Sequence, residues 1–149
     1  FVETVSKIIE DDEKAVLLLG DIGVYGFRDV ISRFPDRAYN IGILEQSTIS
    51  LSAGLSLFGL VPIVHTIAPF IVERSLEQIK VDLCYQNLGV NLVSIGGSYD
   101  YAGLGCTHHC PADVSILNDI PNMQIFVPGH PKEFDQLFSQ NYKIFLNFL

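Results

Sequence analysis

Two stretches of this sequence carry side chains able to move protons or hold a ligand. In the first, Asn40-Ile41-Gly42-Ile43-Leu44-Glu45-Gln46, a short apolar stretch gives way to a glycine and then a carboxylate. An acid here has an ordinary explanation, because carboxylates in a first helical turn complement the helix dipole. It also has a chemical one: a carboxyl group accepts a hydrogen bond when ionised and donates one when protonated, as acid–base work requires. In the second stretch, Gly103-Leu104-Gly105-Cys106-Thr107-His108-His109-Cys110-Pro111, two thiols and two imidazoles fall between Cys106 and Cys110. Zinc sites draw ligands from two separated knuckles, and the sequence has no second Cys/His cluster. The segment therefore reads as a turn with a buried thiol and polar histidines, with no metal bound. His65 stands alone at the end of an apolar run, where packing is its commoner role.

The elements that must position these residues follow from hydrophobic periodicity. Phe1 to Ile9 has helical spacing, and the acidic run Glu10 to Glu13 reads as a solvated turn. Ala15 to Leu19 is a continuous apolar run before Gly20-Asp21, the pattern of a strand buried on both faces. Val24 to Phe34 reads as a helix stopped by Pro35, and Tyr39 to Ile41 as a short strand. Glu45 to Phe58 reads as a helix rich in serine, with Ala53 and Gly54, ended by Gly59. Pro62 to Thr66 is a strand. Phe70 to Gln86, apolar at 72, 76, 79 and 83, reads as one amphipathic helix. Val90 to Ile95 is a strand, followed by a glycine-rich loop, Gly96 to Pro111. A short helix over Asp113 to Leu117, a strand over Met123 to Val127 and a helix over Pro131 to Phe138 complete the order. The stretch from Asn141 to Leu149 reads as a frayed end or the stub of a longer protein.

Strands alternating with helices predict a doubly wound, mostly parallel α/β sheet with helices on both faces, in one domain over residues 1–149. Ligands of such sheets collect at the carboxyl ends of the strands. That rim would gather Asp21, Gly42 to Glu45, His65-Thr66 and the loop from Gly96 to His109. The chain of 149 residues has a hydrophobic fraction of 48% and a net charge of -8. This balance gives no electrostatic reason to bind nucleic acid or an anionic membrane. No apolar run approaches the length that spans a bilayer, and no secretory signal pattern opens the chain at Phe1. Cys84, Cys106 and Cys110 form no disulfide framework, which points to the cytoplasm.

Taken together, the motifs resemble the pyrimidine-binding domain of the transketolase family, closest to transketolases split into two chains. The resemblance rests on Gly42-Ile43-Leu44-Glu45-Gln46 with the small-residue helix behind it, and on Thr66-Ile67-Ala68-Pro69-Phe70 with Arg74 and Glu77-Gln78-Ile79-Lys80. It continues through Gly105-Cys106-Thr107-His108-His109, similar to the family's Gly-x-Thr-His-Gln loop, and Ile120-Pro121-Asn122-Met123 with Pro128. It covers residues 1–138 in the right order.

The resemblance implies thiamine diphosphate as cofactor, with Mg2+ and the diphosphate bound mainly by a partner domain or subunit, because the family's Gly-Asp-Gly…Asn motif is absent from this chain. It places at Glu45 the acid that faces the far pyrimidine nitrogen and favours the imino tautomer. Ile43 and Leu44 would desolvate that acid, while the helix start would oppose a raised pKa. It makes Phe70 the aromatic wall of the pyrimidine, with Ile67 replacing a second aromatic, and sets Asp21 close to the cofactor. It assigns His108 to the sugar substrate or to proton shuttling, with His65 and His109 as further substrate residues. Leu104 stands where the family's loop often carries an acid, and His109 replaces its glutamine. The implied activity is transfer of two-carbon ketol units between sugar phosphates, by a homodimer working with a diphosphate-binding partner. The alternatives are a component of a decarboxylating thiamine enzyme, of the deoxyxylulose-phosphate synthase or 2-oxoacid dehydrogenase type, and a non-catalytic scaffold of the same fold.

Overall fold

A computed structural model describes residues 1–144; residues 145–149 of the expected C-terminal tail lie outside the described residues. Four parallel strands form one sheet: β1 (Ala15–Leu19), β2 (Ala38–Asn40), β3 (Val61–Ile67) and β4 (Asn91–Ile95). Their spatial order is β2-β1-β3-β4, with Leu19 opposite Asn40 on one side and His65 on the other. The chain leaves β1 toward β2 and then returns to the far side of β1 as β3. This reversal opens a crevice above the carboxyl ends of β1 and β3, where ligands of open α/β sheets bind.

All five residues of β1 are buried, because helices cover both faces of the sheet. Successive strand residues point to opposite faces. Val16, Leu18 and Val64 pack beneath α3 (Glu45–Leu57), α4 (Ala68–Val72) and the turns after it. Leu17, Leu19 and Ile63 pack against α1 (Val2–Asp11), α2 (Arg28–Arg33) and, through Phe138, the C-terminal helix of Pro131–Asn141. Truncating a buried leucine such as Leu17 or Leu18 to alanine in such a core costs about 2–5 kcal/mol.

Four expectations need correction. The helix expected over Val24 to Phe34 begins only at Arg28, because Gly23, at φ 74, and Gly26 keep the preceding residues in a turn. The single helix expected over Phe70 to Gln86 is broken into α4, α5 (Leu76–Gln78) and a π-helical turn, Ile79–Cys84. The break falls at 73–75, where the Ser75 hydroxyl donates to the Phe70 carbonyl at 3.1 Å and Arg74 turns away from the helix line. Met123 to Val127 runs beside β4 without joining the ladder, so the sheet has four strands. Phe126, Pro128 and Phe134 line a small apolar cavity there with Leu92 and Val93, so side chains and not a backbone ladder face β4.

The acidic run is the fourth correction. Glu10 and Asp11 finish α1, and Asp12 is mostly buried rather than solvated. Its carboxylate accepts from Lys14 N–H at 3.0 Å and the Tyr142 hydroxyl at 3.1 Å, and pairs with Lys143 at 3.0 Å. The remaining helices are α6 (Asp113–Asn118) and α7 (Pro131–Asn141).

Candidate functional site

The rim above β1 and β3 is built by three connections. After β2, Asn40 Oδ1 accepts from the N–H groups of Asp21 and Gly42, and Asn40 Nδ2 donates to Asp21 Oδ1 at 3.0 Å. Gly42 turns the chain with φ 83, a conformation that a side chain would strain. The turn launches α3 so that Glu45, its first residue, points inward with a side chain only 3% exposed. Ile43 and Leu44, expected to desolvate the acid, are instead 64% and 56% exposed and face away. The burial comes from neighbours distant in sequence.

Two of those neighbours are polar. Arg74 Nη1 lies 2.7 Å from Glu45 Oε2, and the Thr66 hydroxyl donates to Glu45 Oε1 at a long 3.5 Å. The Arg74 guanidinium also lies over the Phe70 ring, 4.2 Å from its centroid. His108 meets the same ring in a T-shaped contact with centroids 5.2 Å apart. The loop carrying His108 is seated by Tyr101, whose ring packs where a side chain on Gly96 would stand, 2.4 Å from an ideal Cβ position. His108 Nδ1 is 3.0 Å from the Thr107 hydroxyl. Glu45, Thr66, Phe70, Arg74 and His108 thus form one cluster from four segments. A half-buried aromatic ring beside a buried carboxylate suits a flat, hydrogen-bonding ligand.

The family model described as transketolase, pyrimidine binding domain, matches residues 1–145. The chain belongs to this family. Among its relatives, an uncharacterized 33.6 kDa protein in the fasciation locus of Rhodococcoides fascians is 40% identical over 141 residues, covering 95% of this chain and 45% of the relative. One of the subunits of an apulose-4-phosphate transketolase from Actinobacillus succinogenes is 41% identical over 114 residues, 75% of this chain and 37% of the relative. The chain therefore spans less than half the length of these relatives. Among solved structures, a split-gene transketolase described as an inactive β4 tetramer aligns with TM-score 0.86 and 27% identity, over 99% of this chain and 47% of the other.

Within this transketolase-type pyrimidine domain, the other expected site residues make none of the contacts just described around Glu45. Asp21 is exposed at the end of β1, locked with Asn40 at φ 60. Ile67 is half-buried, with Cγ2 3.3 Å from the ideal Cβ position at Gly96. His65 lies on the opposite face from Thr66, one residue away, and is 3% exposed. Its Nδ1–H donates to the Val93 carbonyl at 2.9 Å, and its ring lies 4.4 Å from Phe1. Burial pushes the imidazole below its ordinary pKa despite the bond to the Val93 carbonyl. It lines a cleft of about 610 Å³ with Phe1, Ser98, Asp100, Asp113 and Phe134. His109 packs on Tyr99, with ring centroids 5.1 Å apart.

The two sulfurs of the loop point to different surroundings. Cys106 is exposed, whereas Cys110 is buried with Sγ 3.8 Å from Glu73 Oε1. Burial, aided by the charges of Glu73 and Asp113, pushes the Cys110 thiol up to about 12. Sequence reasoning noticed Arg74 as a motif residue but gave it no role. The available signal was its spacing, four residues after Phe70, which puts both on one helical face. Nothing local pointed to its partner Glu45, 29 residues earlier.

Proposed function

We propose that this chain is the pyrimidine-binding part of a thiamine-diphosphate-dependent, transketolase-like enzyme that transfers two-carbon ketol units between sugar phosphates. The observation that carries the reading is the buried Glu45 carboxylate beside the Phe70 ring at the sheet's switch point. The residues present fit the aminopyrimidine half of the cofactor. Glu45 Oε1, engaged only by the distant Thr66 hydroxyl, has acceptor capacity left. When bound, thiamine diphosphate supplies the carbon nucleophile that carries the two-carbon unit.

The chain's own residues do the rest. Glu45 holds a proton against the far pyrimidine nitrogen, Phe70 and Ile67 wall the ring and exclude water, and Asp21 borders the cofactor. His108, with Nδ1 turned to Thr107, offers Nε2 to a substrate hydroxyl and moves its proton. His109, on the same loop as His108, contributes to the substrate side, whereas His65, buried on the opposite face and bonded to the Val93 carbonyl, does not reach it. The diphosphate and Mg2+ belong to a partner subunit or domain, since no Gly-Asp-Gly occurs in this chain. Among the described residues no helix is long and apolar enough to cross a membrane. The free cysteines suit a cytoplasmic setting.

An assembled site also needs a surface for the partner. An added Cβ at Gly54 would meet nothing within 4 Å, so this glycine faces open space and not the chain's own sheet. Leu51, Leu57 and the 89% exposed Phe58 lie on the same helix or at its end. An exposed apolar surface of this kind marks an interaction site. We assign it to self-association as a two-fold dimer; the β4 assembly described for the split-gene relative supports that reading.

Calorimetry tests the division of labour. The chain alone binds thiamine diphosphate weakly or not at all, and adding a diphosphate-binding transketolase subunit produces magnesium-dependent binding and ketol transfer. Tight magnesium-dependent binding by the unmixed chain sinks the proposal. Light scattering tests the dimer, which Gly54→Leu weakens; a wild-type chain monomeric at high micromolar concentration removes that part.

A further inference from the structure

Arg74 makes two contacts at once. Its guanidinium is flat, lies on the Phe70 ring and donates to the buried Glu45 carboxylate. A flat aminopyrimidine seated on this cluster would use the same ring and the same acid. The arginine is 39% exposed, so it reaches the site from its mouth.

A second place exists for this side chain. Gln78 Oε1 is buried without a hydrogen-bond partner among the described residues, although buried acceptors are nearly always satisfied. Gln78 ends the short helix α5, across the break at 73–75 that carries Arg74. Both line a groove of about 440 Å³ that also holds Glu77. The groove offers a guanidinium the Glu77 carboxylate, and its wall includes Gln78, whose buried amide oxygen it would reach by displacing the side chain.

We propose that Arg74 is the placeholder of the pyrimidine subsite, seated on Phe70 and Glu45 when no ligand is present and moving to Gln78 and Glu77 when an aminopyrimidine takes its place. The inference rests on the pyrimidine-binding reading of Glu45 and Phe70. The buried acid is never left as a bare anion: as the guanidinium leaves, Glu45 takes up a proton from solvent and shares it with the ring nitrogen of the ligand. Arg74 positions Glu45 in the empty site and competes with the ligand for it. A site open about one-tenth of the time binds about tenfold more weakly than the same site always open. Lysine in place of Arg74 keeps a charge for Glu45 but lacks the flat fork that stacks on a ring.

The test uses 4-amino-5-hydroxymethyl-2-methylpyrimidine, a probe without diphosphate, titrated by ligand-observed NMR into the chain assembled with a diphosphate-binding transketolase subunit. Arg74→Lys, which keeps the buried acid compensated and the fold intact, should bind the probe about tenfold more tightly than wild type. Gln78→Leu, which removes the second seat, should bind it several-fold more weakly, on the same population argument. In Arg74→Ala, added methylguanidinium should compete with the probe, an effect that a merely structural arginine does not produce. If Arg74→Lys and Arg74→Ala bind no better than wild type while Glu45→Gln loses the probe, the placeholder is wrong and the pyrimidine subsite stands. If neither wild type nor Arg74→Lys binds the probe, the subsite reading fails and takes the placeholder with it. An unchanged affinity in Gln78→Leu overturns the second seat.

Discussion

Two acids shielded from solvent, one fully and one for the most part, stand at opposite ends of the sheet, and they are served very differently. Asp12, near the amino ends of the strands, accepts from a backbone N–H, a phenol and a lysine, all at 3.0–3.1 Å. Glu45, at the carboxyl ends, has one short contact to Arg74 and one long contact to Thr66. A carboxylate has about four lone-pair sites, so Asp12 is largely saturated and Glu45 is not. The saturated acid ties α1 to the chain after α7. The unsaturated one keeps capacity that only a ligand can use.

The contrast predicts that the two acids fail in different assays. The largest effect belongs to Glu45→Gln, measured as ketol-transfer rate with the diphosphate-binding partner present. The rate should fall by at least about two orders of magnitude, the usual worth of a positioned acid–base group. Its urea midpoint should move little, because the Arg74 guanidinium that loses its partner is 39% exposed and can be rehydrated. Activity near wild type would reduce Glu45 to a helix-start acid and erase the comparison.

Asp12→Ala should do the reverse. It removes three partners of a mostly buried group and should cost about 1–3 kcal/mol in urea unfolding, with the assembled rate unchanged. Burial alone would push the Asp12 carboxyl up, but the bonds from Lys14, Lys143 and Tyr142 outweigh it and hold the group below the ordinary carboxylate range. A lowered folded pKa means stability that is fully present above the ordinary carboxylate value and is lost as pH falls through the lowered one. Wild type should therefore lose more stability than Asp12→Ala between pH 7 and pH 3. Equal losses would show that Asp12 is not held in its charged form by folding. Tyr142→Phe deletes a single bond and should give the smallest shift, about 0.5–1.5 kcal/mol in the same unfolding experiment. A shift as large as that of Asp12→Ala would mean the phenol, and not the backbone and lysine, carries the tie.

The same contrast shows what was legible beforehand. Ala15 to Leu19 announced a strand buried on both faces because its apolar character is local and uninterrupted. Glu45 announced itself through Gly42 and its place before a small-residue helix. Its environment did not, since Ile43 and Leu44 suggested an apolar pocket and the burying groups come from Thr66 and Arg74. The break after α4 was hidden for a related reason. Apolar residues at 72, 76, 79 and 83 keep their spacing through it, and Ser75 and Arg74 bend the backbone by bonds to Phe70 and Glu45. Met123 to Val127 has strand composition, yet beside β4 Phe126, Pro128 and Phe134 line a small apolar cavity with Leu92 and Val93 and no ladder forms. Asp12 looked like part of a charged surface run because its partners Tyr142 and Lys143 lie at the other end of the chain.

Asn40 touches none of the residues that would meet a ligand through Glu45 and Phe70, yet it works as the fulcrum of the site. One amide clamps the ends of β1 and β2 and the turn at Gly42, and the whole of α3 extends from that clamp like a lever. A small rotation at the fulcrum swings Glu45 relative to Phe70, which is anchored on a different connection. Replacing Asn40 with aspartate would set two carboxylates against each other at Asp21 and open the joint. Accuracy of aim at the rim is therefore stored in a side chain that a map of contacts to the pyrimidine would leave blank.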